Sequence, residues 1–179
     1  MTRLARCLAA AVVAAAVLPF APAHAQKSGA AAGSGVFTTG TSIVSVGLLT
    51  DPTGIGGSYE YGLRQLAPGW TLGVGGTLGF QSRSSFGVDA TTIWALGNAN
   101  VHYAIPNVPE LDVYGGLSLG IVRTSVDSPS PGLSGVSDSD VALGINLGGR
   151  YMFTPKLGAF LQLGVADAPE IFLGVSFKF

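Results

Sequence analysis

The sequence predicts an all-β chain: an eight-stranded antiparallel up-and-down transmembrane β-barrel preceded by a cleavable signal peptide. Three observations carry that prediction. The chain opens on an export signal. Charged residues make up only 11% of it, against about 25% in ordinary soluble domains. Beyond the signal no apolar stretch approaches the ~20 residues of a spanning helix, yet segment after segment alternates apolar and small residues with period two, as strands do. An exported, charge-poor chain without spanning helices enters a bilayer as a closed barrel, because lipid offers no partners to an open sheet edge.

The signal is "MTRLARCLAAAVVAAAVLPFAPAHA", with Arg3 and Arg6, an apolar run from Leu8 to Leu18, Pro19, and Ala23-His24-Ala25. Cleavage is expected after Ala25. The run is too short for a spanning anchor, and Cys7 precedes it, where a lipoprotein cysteine would follow. The expected layout is a signal peptide over 1–25, a flexible Gly/Ala/Ser-rich lead-in over 26–39, and the barrel over 40–179. Cleavage removes the single cysteine, so neither a disulfide nor a cysteine metal site is expected. It leaves seven basic against ten acidic residues, a net charge near −3. With no basic run, no nucleic-acid partner is expected.

Eight segments follow. "TSIVSVGLLT" (41–50) is apolar on both faces. "IGGSYEYGL" (55–63) sets Tyr59, Tyr61 and Leu63 opposite Ser58 and Glu60. "WTLGVGGTLGF" (70–80) puts Trp70, Leu72, Val74, Leu78 and Phe80 on one face and Thr71, Gly73, Gly75, Thr77 and Gly79 on the other. "TTIWALGNANVHY" (91–103) has Ile93, Ala95, Ala99, Val101 and Tyr103 in phase. "LDVYGGLSLGI" (111–121), "DVALGINLGGRYMF" (140–153) and "KLGAFLQLGV" (156–165) repeat the pattern, and "EIFLGVSFKF" (170–179) closes the series. Eight strands of this length match a small membrane barrel, whose strands need ~9–11 residues. The connections carry turn chemistry: Asp51-Pro52, Pro68-Gly69, Pro106 and Pro109, Thr154-Pro155, Ala168-Pro169. The longest, 126–140, is the fifth, and with a periplasmic N-terminus it falls outside, where such barrels carry their longer loops.

A soluble barrel of the lipocalin type is the rival. Its water-facing set would be rich in Lys, Glu, Arg and Gln, whereas the polar phase here is mostly Gly, Ser, Thr and Asn. Those residues suit a narrow lumen. Trp70, Tyr103, Tyr151, Phe153, Phe177 and Phe179 near strand ends then read as interfacial girdle residues. An eight-stranded lumen is just wide enough for side chains to fill, so interior glycines such as Gly73, Gly79, Gly144 and Gly148 are expected to make room for Trp94, Leu96, Tyr114, Phe160 and Phe172.

Strand phase aims Glu60, Asp112, Arg150 and Lys178 inward, all toward the periplasmic half. Two acids and two bases cancel, as a low-dielectric interior requires. His102, the single histidine after processing, reads as one further member of this polar interior. A Ser118–His102–Asp112 triad is conceivable, but geometry and not presence defines a triad. With one histidine a His-based metal cluster is excluded. "GVGG" (73–76) lies inside a strand and lacks the helix of a phosphate loop. No catalytic, cofactor or metal site is expected.

Two stretches carry a family resemblance. "YMFTPKLGAF" (151–160) is similar to an aromatic-x-aromatic-Thr-Pro periplasmic turn, and the terminus is similar to a C-terminal assembly signal with Gly174, Phe177 and Phe179 at matching positions. With them the chain resembles the small eight-stranded outer-membrane β-barrels of Gram-negative bacteria, the OmpA-like superfamily. Phe172 departs from the signal, which usually has a polar residue there. The resemblance implies the outer membrane as location, its lipid as surroundings, the barrel-assembly machinery as a partner of the last strand, and a monomer. It implies a structural or surface-interaction role through extracellular loops. A narrow channel or transporter for small solutes is the alternative, and a membrane-embedded lipid-modifying enzyme a further one. His102 is followed by Tyr103 and Ala104, which departs from the His-x-Ser setting of the lipid A deacylases on this fold. No second, peptidoglycan-binding domain is expected after Phe179.

Overall fold

A computed structural model describes residues 35–50, 53–85, 87–127 and 135–179. The expected signal peptide with Ala25 and the first part of the expected lead-in lie outside the described residues, as do Asp51 and Pro52. Eight strands run in order: β1 (Ser42–Thr50), β2 (Gly54–Ala67), β3 (Trp70–Ser85), β4 (Val88–Ala104), β5 (Leu111–Asp127), β6 (Val136–Met152), β7 (Leu157–Ala166) and β8 (Ile171–Lys178). Each pairs antiparallel with the next, and β8 pairs with β1 from Ile43↔Lys178 to Thr50↔Ile171, closing the sheet. The expected strand number, order and closure are all observed.

The alternation sorts as physics requires. Outward residues such as Leu48, Ile55, Leu78, Leu117, Ile145, Leu147, Leu163 and Val175 lie 41–67% exposed. A continuous aliphatic band this open belongs in lipid, not in water. Inward, β1 resolves its two apolar faces: Ile43, Ser45 and Leu49 are buried while Val46 and Leu48 face out. Aromatic residues ring the end at which β1 begins and β8 finishes. Trp70 and Tyr103, cross-strand partners, pack with ring centroids 4.6 Å apart, and Tyr151 and Phe153 meet edge-on at 5.7 Å.

The connections at this end, 68–69, 105–110 and 153–156, are short, as expected of the periplasmic end of such barrels. The Thr-Pro turn shows why its residues stand where they do. Thr154 Oγ1 accepts hydrogen bonds from the Lys156 and Leu157 amides at 3.3 and 2.9 Å, and Pro155 fixes φ for the reversal.

The opposite rim is lopsided. β2 begins at Gly54, opposite Gln81, so residues 82–85 of β3 rise beyond it. The paired part of β7 ends at Ala166, opposite Gly144, so residues 136–143 of β6 rise beyond that. β3, β4, β5 and β6 therefore stand together as a four-stranded wall above the shorter side of the ring. The sequence predicts these strands shorter, ending β3 at 80 and β5 at 121 and starting β4 at 91 and β6 at 140. The reason is solvent: above the lipid neither face is apolar, so pairing persists where alternation stops. Thr92 Oγ1 and Thr124 Oγ1, 3.3 Å apart across β4 and β5, are typical of that zone.

The outer half of the lumen is packed. Leu49, Phe160 and Phe172 form a buried cluster, the two rings edge-to-face at 4.7 Å and 79°, a geometry that adds about 0.5–1.5 kcal/mol beyond area burial. Trp94 Nε1 donates to Gln81 Oε1 at 2.6 Å. The β7–β8 connection dips inward from Ala166, whose φ of 63° reverses the chain, and buries Ala168. A Cβ on Gly144 would lie 2.6 Å from that of Ala168, so Gly144 is what lets the connection seat.

Candidate functional site

The periplasmic half of the lumen holds an ionic cluster drawn from four strands. β2 supplies Glu60, β4 His102, β5 Asp112 and β6 Arg150, with exposures of 7%, 1%, 1% and 3%. Parity puts all four inside, since each shares a face with the small residues of its strand. The register puts Asp112 directly opposite Arg150.

Arg150 spans the group. Its Nη1 lies 3.0 Å from Asp112 Oδ2 and its Nη2 3.4 Å from Glu60 Oε2. Its Nε donates to Ser176 Oγ at 3.2 Å, and Ser176 is 2.8 Å from Ser45 Oγ, across the β8–β1 seam. The guanidinium carbon lies 5.2 Å from the centroid of the Tyr114 ring. His102 bridges the same two acids: Nε2 is 2.9 Å from Glu60 Oε1 and Nδ1 3.0 Å from Asp112 Oδ2. Ionised carboxylates only accept. A ring bearing hydrogens on both nitrogens satisfies both contacts, and it balances two anions against two cations. Asn100 Nδ2 donates to Glu60 Oε1 at 2.7 Å.

Of the four charges expected inside, Glu60, Asp112 and Arg150 come together and Lys178 does not. Lys178 sits half-buried at the periplasmic rim, its backbone amide bonded to Lys156 O in the turn beyond β7. The inward β8 residue at cluster height is Ser176, and His102 takes the second cationic place. Phase assigns a side chain to a face; strand tilt and stagger decide its height, and those are not written in one strand's sequence. Ser118 is not presented to His102: its Oγ accepts from Asn146 Nδ2 at 3.0 Å, while the second imidazole nitrogen faces Glu60. The Ser118–His102–Asp112 triad does not form.

One participant has no counterpart in the sequence reading. Phe37, in the segment expected to be a flexible lead-in, stacks on His102 with centroids 3.8 Å apart and planes at 23°. Val36 and Phe37 are buried at 4% and 3% and cluster with Ile43 and Met152. Gly73 is the space it fills, for a Cβ there would come within 2.9 Å of both the Phe37 ring and His102 Nε2. The signal was present: Val36 and Phe37 are the two large apolar residues in an otherwise small and polar stretch from 26 to 40.

Of the expected assembly signal, Gly174 and Phe177 lie on β8 and Phe179 just beyond it. Gly174 faces the lumen between Gly47 and Phe160. Phe177 and Phe179 point outward, 42% and 76% exposed, and the Phe179 amide bonds to Ser42 O at 2.9 Å.

Comparison with known proteins agrees with this architecture. Residues 7–168 match the family described as outer membrane protein beta-barrel domain. No curated protein matches the chain. Among solved structures it is similar to Ail, the attachment invasion locus protein of Yersinia pestis, at 18% identity and TM-score 0.56, covering 79% of this chain and 100% of that one. A second structure of Ail, in complex with the heparin analogue sucrose octasulfate, gives 16% identity and TM-score 0.56, with 79% and 100% covered. The outer membrane protein OprG of Pseudomonas aeruginosa gives 13% identity and TM-score 0.54, over 82% of this chain and 98% of that one. At these identities the likeness is one of fold.

Proposed function

We propose that this chain, which belongs to the outer membrane protein β-barrel domain family, is a monomeric, non-enzymatic surface-interaction protein that works through the wall formed by β3 to β6. The closed ring satisfies its strand edges within the lipid and needs no second copy to do so.

The observation that carries this reading is the upper edge of β6, which among the described residues pairs with no strand beyond Gly144. The Leu143 amide donates to Asp167 Oδ2, and Leu143 O accepts from the Asp167 amide. Backbone groups of Leu143 thus point toward the β7 side. Residues 141, 139 and 137 share its parity and point theirs the same way, above the last β7 pair. An edge of this kind pairs with an extended segment of another polypeptide, backbone bonds giving affinity and alternate side chains giving selectivity.

Charge narrows the partner. Among the described residues the outer rim exposes Arg83 and Arg123 against Asp89, Asp127, Asp138, Asp140, Asp167 and Glu170, an acidic surface. Ail has been crystallised with a polysulfated sugar; the rim of this chain has the charge to repel one. A cationic extended peptide is the partner that fits both edge and charge.

Panning nanodisc-embedded protein against a display library of random dodecapeptides tests this. Recovered binders should be rich in Lys and Arg and should be lost with Ser139→Pro, which removes an edge amide, held at 2.9 Å by the exposed Asp138 Oδ1 until a partner displaces it, without touching the β5 ladder. Asp138→Pro, which breaks that ladder, serves as the structural control. Binding no better than to empty nanodiscs, or binders indifferent to Ser139→Pro, refutes the reading.

A further inference from the structure

We propose that residues 35–41 form a stopper that closes the periplasmic mouth of the barrel and keeps water from the ionic cluster, with Phe37 as its head seated on His102.

Four independent features build it. The chain reverses through a turn in which the Thr41 amide donates to Thr38 O at 3.0 Å and the Thr38 amide to Thr41 Oγ1 at 3.2 Å. Gly40 supplies the turn with φ of 86°, a value side chains rarely adopt. The segment is then latched to β2 by two backbone bonds, Gly40 amide to Gly62 O and Gly62 amide to Thr41 O, both 2.8 Å. The β2–β3 register shifts just past that latch, between Gly62 and Arg64. The wall of the mouth is cut to fit: Gly73 leaves the depth Phe37 occupies, and a Cβ on Gly35 would lie 2.6 Å from that of Ala104. Finally, the head covers charge. The Phe37 ring lies flat against the imidazole that joins Glu60 to Asp112, while Tyr114 stacks near it at 5.1 Å.

The physical consequence is a conditional chamber. With the stopper seated, the two carboxylates, the guanidinium and the imidazole interact in a dry, low-dielectric pocket, where each contact is strengthened. With it withdrawn, periplasmic water reaches His102 and through it the cluster. The Leu49–Phe160–Phe172 layer still closes the outer half, so the opening is a one-sided vestibule and not a through pore. The stopper is latched by few bonds. It therefore belongs to the parts of a fold that open at low cost.

The sequence has two histidines, His24 and His102, so protein expressed from Gln26 onward and labelled with ¹⁵N-histidine in nanodiscs reports a single imidazole. In the native protein its ring N–H signals should persist, and Phe37→Ala, with the backbone spectrum of the barrel retained, should speed their exchange with water at least about tenfold. In parallel, Phe37→Cys should react with a water-soluble maleimide at least about tenfold more slowly than the exposed Thr39→Cys. Fast ring exchange in the native protein overturns the proposal without any variant. So does Phe37→Cys labelling as fast as Thr39→Cys, or unchanged ring exchange in folded Phe37→Ala.

Discussion

Replacing Arg150 by Ala is the sharpest perturbation of the interior. Arg150 is 3% exposed and lies 3.0 Å from Asp112 and 3.4 Å from Glu60. Each such contact is about 5 kcal/mol gross at an effective dielectric near 20, and each is opposed by desolvation of several kcal/mol per ion. These terms largely cancel while both partners are present. They stop cancelling when one leaves, because Glu60 and Asp112 then share His102 alone. The expected loss is about 3–5 kcal/mol. Asp112→Asn added to Arg150→Ala removes one stranded charge and should recover part of that loss, a coupling of about 0.5–3 kcal/mol. The assay is reversible urea unfolding in lipid vesicles, followed by the fluorescence of Trp70 and Trp94. A loss below about 1 kcal/mol, the range of exposed ion pairs, would refute the claim that this cluster is desolvated and mutually dependent.

Three further outcomes follow from the same structure. Lys178→Ala should cost less than about 1 kcal/mol by the same unfolding assay, because none of the ion pairs of the cluster involves Lys178; a loss matching that of Arg150→Ala would return it to the interior group. Deleting Phe179, or replacing it with Asp, should lower the amount assembled in cells more than it lowers refolded stability, since an outward ring at 76% exposure leaves little packing to lose; equal cellular levels with collapsed refolded stability would defeat the assembly-signal reading. Liposomes carrying the native protein should hold small solutes and show no steady conductance, given a lumen filled by Leu49, Phe160, Phe172, Trp94 and Ala168 on one side and by the cluster on the other. A reproducible flux would favour the channel alternative, although bulky residues at Gly144 or Gly148 would not map its path. Those glycines hold space for Ala168 and the Tyr114 ring, so enlarging them would disturb packing first.

What the sequence discloses and what it withholds separate along one line. Period-two alternation reports which face a side chain takes, so the strands inside lipid and the inward aim of Glu60, Asp112 and Arg150 are legible residue by residue. Alternation is silent where both faces meet the same medium. That is why β3 and β5 read short and the wall they build with β4 and β6 goes unseen. It is equally silent on height within the lumen, so Lys178 joins the cluster on paper while Ser176 and His102 occupy its places in the fold. Phe37 escapes for a third reason: it belongs to no repeat, and its slot at Gly73 lies on another strand.

The cluster also answers a problem that the outer surface cannot solve. Outward positions on every strand draw on Leu, Val, Ile, Ala and Gly. A strand slipped by two residues along its neighbour would still present an aliphatic face to lipid, and alternation alone does not penalise that slip. The interior does. A two-residue slip of β6 against β5 separates Arg150 from Asp112, leaving Asp112 to His102 alone and the buried guanidinium without that carboxylate. The same slip at the seam parts Ser45 from Ser176, residues 131 apart in sequence. Contacts of that separation form only when the ring has closed in one register. They convert a sheet that lipid would accept in several alignments into one that the interior accepts in a single alignment. On this reasoning the buried charges serve the fold by excluding alternatives, which is compatible with a lumen that carries no solute and leaves the work of recognition to the wall outside.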